Sequence, residues 1–107
     1  MSVKQVSAIE LKQRIEKNDP LVLLDVREPY EYEYARIEGS LLIPLNQIPQ
    51  RLAELDPQQE IMVICHHGMR SQQAAQFLMH SGFTHVYNLN GGIDAWSSYC
   101  DASVRRY

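Results

Sequence analysis

The chain has 107 residues, of which 45% are hydrophobic and 21% are charged, so we expect one globular domain over residues 1–107. A formal net charge of −3 at pH 7 gives no general attraction for nucleic-acid phosphates, so this class of partner is not expected. Apolar runs such as Leu21–Leu24 are far shorter than the roughly 20 residues that cross a bilayer, and no signal peptide is visible, so no membrane partner is expected.

The first third of the chain predicts a helix followed by a buried strand. Ser7–Glu10 has the form of a capping box, which predicts a helix over 8–17 with Ile9 among its apolar contacts. Leu21–Val26 is apolar on both faces, as in a central strand of a parallel sheet. Pro29 then falls at the start of a short predicted helix.

Shorter apolar runs and segments with helical spacing alternate along the rest of the chain. The predicted strands are Leu41–Ile43, Ile61–Ile64 and Val86–Leu89. The predicted helical segments are one with Ile48, Leu52 and Leu55, one from Gln72 with Gly82 as its cap, and a last one over Ile93–Ser98. This alternation predicts an α/β fold with a mostly parallel sheet between helices, in which ligands bind beyond the carboxyl ends of the strands. The tail, residues 99–107, carries no predicted element.

The run Cys65–Ser71 places a thiol directly after a predicted strand and before a predicted helix. Backbone N–H groups in such a turn, with the positive end of the helix, form an anion-binding cup that favours thiolate over thiol. Gly68 can adopt backbone angles closed to other residues, and Arg70 supplies a planar, permanently charged donor set. Cys65 is therefore the candidate nucleophile, in preference to a structural buried cysteine.

The chain has two cysteines, Cys65 and Cys100, with 34 residues between them and no CxxC pair. This pattern is not a disulfide framework. We therefore expect a reducing, cytoplasmic location, where a nucleophilic Cys65 stays usable. Cys100 lies outside any motif and is expected to be a bystander.

The adjacent residues His66 and His67 raise the question of a metal site. Their side chains are expected to diverge, and the sequence has no further Cys or His cluster at the usual spacing, so no metal is expected. Their backbone is expected to act in the loop, while protonated rings raise the positive potential at its entrance. Arg27 is expected to form an ion pair, Asp25 to be structural, and Trp96 to lie in the core.

Three motifs, in this order, resemble those of the single-domain rhodaneses, which are sulfurtransferases. They are the strand-end motif Asp25–Pro29, the active-site loop Cys65–Ser71 and the closing segment Gly91–Trp96. The resemblance covers nearly the whole chain and implies a three-layer α/β/α domain around a mostly parallel sheet. The chain departs from the pattern at 35–37, where many members have Gly-His-Ile, so a different local turn is expected there.

The resemblance implies a two-step transfer of sulfur. Cys65 would take the outer sulfur of a small anion such as thiosulfate, become a persulfide, and pass this sulfur to cyanide or a thiol, including that of a small redox protein. No cofactor is implied. The residues implied to bind the substrate are those of the loop: His66, His67, Gly68, Met69, Arg70 and Ser71.

Two alternatives from other functional classes stay open. A cysteine-dependent phosphatase also uses a strand, a Cys loop and an Arg at a helix start, but its pattern has one residue more than the four that separate Cys65 from Arg70 here. A non-catalytic rhodanese-like binding module is the second alternative. Cys65 together with Gly68 and Arg70 argues against it, because inactive members are expected to have lost the cysteine.

Overall fold

Five strands form one sheet in the computed structural model, which describes residues 3–107. The strands are β1 (Lys4–Val6), β2 (Leu21–Asp25), β3 (Leu41–Leu42), β4 (Glu60–Ile64) and β5 (Val86–Leu89). Their spatial order is β1-β5-β4-β2-β3, and all neighbouring pairs are parallel. The direction of the connections reverses between β2 and β4, so a crevice opens at the carboxyl ends of these two strands.

Helices connect the strands on both sides of the sheet. They are α1 (Ala8–Glu16), α2 (Pro29–Tyr34), α3 (Met69–His80) and α4 (Gly92–Tyr99), together with the 3₁₀ segments Leu45–Gln47 and Pro49–Glu54. Among the helices of residues 3–107, none combines the length and apolar character that a membrane crossing requires.

The capping box predicted for the first helix is confirmed. The Ser7 hydroxyl accepts a hydrogen bond from the Glu10 N–H over 3.1 Å, and the Glu10 carboxylate accepts one from the Ser7 N–H over 2.9 Å. Leu11 is fully buried, but Ile9 is 55% exposed, so its expected apolar contact is wrong. The helix turns Ile9 away from the sheet while keeping Leu11 against it.

The two faces of the sheet carry separate cores, which confirms the three-layer prediction. Ile61 and Val63 of β4 pack on one side with the apolar face of α3. Met62 and Ile64 pack on the other side with α1, α4 and the expected core residue Trp96. Because successive side chains of a strand point to opposite faces, a strand covered on both sides needs the continuous apolar run seen in this sequence.

Three elements differ from the prediction. β1 was not expected, because it is only three residues long and two of them are exposed; it forms by pairing with β5. α3 begins at Met69 rather than Gln72, directly after Gly68. The segment around Ile48 and Leu52 is 3₁₀ helix rather than α-helix, since Arg51 leaves helical angles and divides it.

The expected ion pair of Arg27 is confirmed, and its partner is Asp25. Both side chains are fully buried, and the guanidinium donates to the carboxylate through Nη2 over 2.7 Å and Nε over 2.9 Å. Nη2 also donates to the Ala35 carbonyl, and Nη1 to the Glu31 carbonyl. The pair therefore ties the end of β2 to α2 and to the departing segment at 35–37.

We expect Asp25→Asn to lower the free energy of unfolding by about 3–5 kcal/mol, because it leaves the buried charge of Arg27 without a counter-charge. Urea unfolding followed by circular dichroism measures this loss. Glu54→Gln, which removes the exposed pair with Arg51, serves as the control and should change stability little. Equal losses in the two variants would contradict the role given to burial.

Candidate active site

Cys65 directly follows β4 at the crevice between β2 and β4, and its side chain is only 1% exposed. The chain then turns back on itself at Gly68, whose φ of +106° lies in the left-handed region that favours glycine. This turn aims the Gly68 N–H at the sulfur, and the nitrogen lies 3.0 Å from Cys65 Sγ. The strand-to-helix placement of the thiol is therefore as predicted.

The last three predicted site residues belong to the first turn of α3. Ser71 is fully buried and its hydroxyl lies 3.2 Å from Cys65 Sγ. Met69 is 83% exposed, so its side chain is not packed into the protein beside the thiol. The first N–H groups of an α-helix have no partner within the helix. The start of α3 therefore presents free donors and the positive end of the helix dipole to the loop.

Arg70 binds Glu31 of α2 through both terminal nitrogens. The distances are 2.7 Å from Nη1 to Oε1 and 2.9 Å from Nη2 to Oε2, and Glu31 is 5% exposed. This pairing lowers the pKa of Glu31 to about 2, against the opposing effect of burial. The charge of Arg70 is thus largely compensated within the protein, and its geometry fixes the first turn of α3 against α2.

Glu31 was not identified from the sequence, although a local signal for it exists. Glu28 and Glu31 form a capping box at the start of α2, in which the Glu28 N–H donates to Glu31 Oε1 over 3.0 Å. A capping box already accounts for a glutamate at this position. The sequence therefore gives no separate signal that the same carboxylate also pairs with Arg70. Only the packing of α2 beside α3 reveals it.

Tyr107, in the tail without predicted structure, also reaches the site. Its hydroxyl accepts from Arg27 Nη1 over 2.8 Å and donates to Glu31 Oε2 over 2.7 Å. Its ring stacks on His66 with a centroid distance of 3.8 Å and an interplanar angle of 9°. Burial raises the pKa of the Tyr107 hydroxyl to about 12. The tail is therefore a packed extension, and no pattern in its sequence could have indicated this contact.

The expectation that the rings of His66 and His67 diverge is wrong, since they stack with centroids 3.8 Å apart. Their ligand atoms and that of Asp94 lie within 4.8 Å of one another. Asp94 already pairs with Arg106 over 3.1 Å, so one of the three ligands is engaged by a cation, and fewer ligands remain than the three or four protein groups of a usual zinc site. This group therefore fits a metal ion poorly.

The surroundings of His66 oppose its protonation. Burial lowers the pKa of this imidazole, and the neighbouring His67 lowers it further. The expected positive potential depends on protonation, and both effects work against it at this ring. It contributes an aromatic surface that lies between His67 and Tyr107.

The start of α4 supports the Cys65 loop from behind. The Ile93 N–H donates to the Cys65 carbonyl over 2.8 Å, and the Asp94 N–H to the His66 carbonyl over 3.1 Å. Gly92 has a φ of +62°, and a Cβ atom there would lie 2.5 Å from the Cys65 carbonyl oxygen. The closing motif of the sequence therefore allows two backbone segments to meet directly.

The segment 35–37, where the chain departs from the family pattern, packs against its own side of the fold. Ala35 and Ile37 are buried in the core, and the guanidinium of Arg36 lies over the ring of Tyr32 at 5.0 Å.

Beside Arg70, a mostly apolar cavity of about 600 Å³ opens between the end of β2, the 3₁₀ segments and α3. Its apolar lining includes Val26, Leu45 and Phe77.

A buried cysteine at the carboxyl end of a central parallel strand, in a loop closed by two helix starts, defines an α/β protein with a cysteine-loop site. The Rhodanese-like domain family matches residues 7–99 of the chain. This chain belongs to that family.

Relatives and solved structures agree with this assignment. YrkF of Bacillus subtilis is 40% identical over 96 residues, which cover 90% of this chain and 52% of that protein, so the chain spans about half of its length. GlpE of Pseudoalteromonas translucida, named a thiosulfate sulfurtransferase, is 34% identical over 106 residues, covering 99% and 100%. A rhodanese-like domain protein from Staphylococcus aureus superposes with a TM-score of 0.86 at 27% identity, covering 98% and 99%.

Gly92→Ala should lower the free energy of unfolding by about 3 kcal/mol or more, since it combines an unfavourable backbone angle with a clash against the Cys65 loop. Gly39→Ala is the matched control, because Gly39 also has a positive φ but open space around its Cβ position. The control should cost about 1–2 kcal/mol. Thermal and urea unfolding measure both, and similar costs would argue against the clash.

The Glu31 carboxylate should make stability depend on acid pH. Its pKa is about 2 in the folded protein against 4.5 for the free group, so its contribution is complete above pH 4.5 and is lost as the pH falls towards 2. Over this range the unfolding free energy of the native protein should fall more steeply than that of Glu31→Gln, by up to about 1.4 kcal/mol per pH unit. Parallel pH profiles in urea unfolding would contradict the pairing with Arg70.

Proposed function

We propose that this protein is a sulfurtransferase that carries a sulfur atom as a persulfide on Cys65. The observation that supports this most is the cup around the thiol, where the Gly68 N–H donates to Cys65 Sγ over 3.0 Å. A relative of matching length is named a thiosulfate sulfurtransferase, which favours thiosulfate as the donor. The small cup suits one sulfur atom on the cysteine, ringed by backbone donors.

The proposed reaction has two displacement steps. In the first, the Cys65 thiolate attacks the outer sulfur of thiosulfate, the sulfur–sulfur bond breaks, and sulfite leaves with the electron pair. In the second, a thiolate or cyanide attacks the terminal sulfur of the persulfide, and the Cys65 thiolate leaves. Electrons and sulfur atoms balance without an external oxidant, so the route requires no cofactor.

The loop residues have distinct proposed roles in binding the anion. The backbone N–H groups of His66, His67, Gly68 and Met69, together with the start of α3, hold the negative charge of the donor and of the persulfide. Ser71 contacts the sulfur through its hydroxyl. Arg70 orients the first turn of α3 through its bidentate pair with Glu31. Because Glu31 compensates most of the charge of Arg70, this residue adds little to the attraction for the anion.

We propose that the acceptor approaches through the apolar cavity beside Arg70. A cavity of about 600 Å³ accommodates the organic part of a small thiol, and its open side leaves room for a thiol carried by a small redox protein.

Two further predictions concern the chain as a whole: that residues 1–107 act as one domain, and that the protein lies in the reducing cytoplasm. Both Cys65 and Cys100 are free thiols, as such a location favours.

Cys65→Ser should abolish sulfur transfer from thiosulfate to cyanide, because a hydroxyl is a far weaker nucleophile and cannot form a persulfide. Intact-mass spectrometry of the native protein after thiosulfate should show a gain of roughly 32 Da, one sulfur atom, that a dithiol removes. The Cys65→Ser variant should show no gain.

Cys100→Ser is the matched control and should keep both the activity and the mass gain. Circular dichroism on all proteins separates loss of chemistry from loss of fold. Retained activity in Cys65→Ser, or a mass gain that follows Cys100, would overturn the proposal. Hydrolysis of an aryl phosphate by the native protein would instead favour the phosphatase alternative, and absence of both activities would favour a binding module.

A further inference from the structure

Asn88, on β5, lies directly behind the cup and was not singled out by any sequence motif. Its side chain is 4% exposed, and its Nδ2 donates to the Gly68 carbonyl over 3.2 Å and to Gln5 Oε1 over 3.0 Å. A backbone carbonyl can only accept a hydrogen bond, so the NH₂ group must face Gly68. The orientation of the amide is thereby determined, and Asn88 Oδ1 must face Ser71.

The orientation of Asn88 decides where the single proton of the Ser71 hydroxyl goes. Asn88 Oδ1 can only accept, and it lies in hydrogen-bond contact with Ser71 Oγ, so Ser71 donates to it. Ser71 Oγ also lies 3.2 Å from Cys65 Sγ, but its proton is already used. Ser71 therefore presents a lone pair to the sulfur.

The sulfur then has one donor and one acceptor as neighbours. The Gly68 N–H donates to Cys65 Sγ, while Ser71 Oγ accepts from the Cys65 S–H. This arrangement satisfies a thiol. A thiolate in the same place would face the lone pair of Ser71, unless the hydroxyl turned towards the sulfur and left Asn88 Oδ1 buried without its donor.

We propose that Asn88 is a positioning residue that directs the Ser71 hydroxyl away from Cys65 and so holds the resting cysteine as a thiol. When the thiol loses its proton to solvent, Ser71 turns and donates to the sulfur anion, at the cost of its bond to Asn88. The inference rests on the proposed function, in which Cys65 is the nucleophile. It adds a hydrogen-bond switch that keeps Cys65 in its less reactive thiol form until the thiol loses its proton.

Charged groups around the loop act on the same sulfur and must stay constant in a test. Arg70 of α3 attracts a negative charge on Cys65, and it is itself paired with Glu31 of α2. Other titratable groups beside the loop are Asp25 and Arg27 at the end of β2, Glu28 at the start of α2, His66 and His67 in the loop, Asp94 of α4 with Arg106, and Tyr107 of the tail. Neutral substitutions at Asn88, Ser71 and Gln5 leave all these charges in place.

The test measures the rate at which iodoacetamide alkylates Cys65 as a function of pH. A Cys100→Ser background leaves Cys65 as the thiol that reacts. Asn88→Ala frees the Ser71 hydroxyl to donate to the sulfur, and the midpoint of the profile should fall by about one pH unit, the size expected for one hydrogen bond. In the presence of Ser71→Ala, the same Asn88→Ala substitution should leave the midpoint unchanged.

Gln5→Ala is the control for general loosening of this network. It removes one partner of Asn88, but the Gly68 carbonyl still sets the direction of the amide, so the midpoint should stay where it is in the native protein. A midpoint that is unchanged or higher in Asn88→Ala would overturn the proposal. So would an equal shift with and without Ser71, because the effect would then not pass through that hydroxyl.

A measurement on the native side chains keeps the proposal testable if Asn88→Ala does not fold. Infrared spectroscopy of the Cys100→Ser protein at neutral pH should show an S–H stretch from Cys65, shifted by hydrogen bonding and moved again by Ser71→Ala. Absence of the S–H band would overturn the proposal. Neither readout depends on sulfur transfer: a lowered midpoint without persulfide formation would refute only the proposed function, and persulfide formation with an unchanged midpoint would refute only the switch.

Discussion

The need to pair the buried charge of Arg27 organises the side of the molecule next to the cysteine. Its guanidinium lies in a fully buried position, where an unpaired charge is very costly. Asp25 supplies the counter-charge, and the carbonyls of Glu31 and Ala35 and the hydroxyl of Tyr107 take the remaining donors. Through this one group, the end of β2, the helix α2 and the tail keep fixed positions relative to one another.

The same network reaches the loop through Glu31, which accepts from Tyr107 on one oxygen and from Arg70 on both. The cation next to the cysteine is therefore part of a chain of paired charges rather than a free binding group. In the proposed reaction, attraction for an anion at Cys65 then falls mainly to backbone N–H groups and the start of α3, which need no counter-ion. For the pairing with Glu31, the planar guanidinium of Arg70 with its two parallel donors suits better than the point charge of a lysine would.

Backbone geometry supplies the second support of the site. The carbonyls of Cys65 and His66 are held by the start of α4, while the turn at Gly68 directs the N–H of Gly68 towards the sulfur. Gly92 makes the approach possible because it has no Cβ atom. Behind this layer, the polar side chains of Ser71 and Asn88 determine which hydrogen-bonding direction the sulfur meets.

Local patterns in the sequence were enough to predict most of the fold and the cysteine loop. The Ser7 capping box, the apolar strand Leu21–Val26 and the thiol between a strand and a helix each depend on neighbouring residues only. An alternation of strands and helices leaves few arrangements other than a parallel sheet between helices. The layered fold and the position of Cys65 were therefore accessible from the sequence.

Contacts between distant residues were decided by the tertiary structure alone. β1 exists because β5 offers it an edge, and it is too short and polar to be predicted by itself. Glu31 meets Arg70 across 39 positions of the chain, and Tyr107 meets Glu31 across 76. The sequence by itself determined where the sulfur of Cys65 lies, since strand and helix signals are local. Only the packed fold decided which groups surround that sulfur, because their hydrogen bonds and charges join elements whose spacing along the chain carries no pattern.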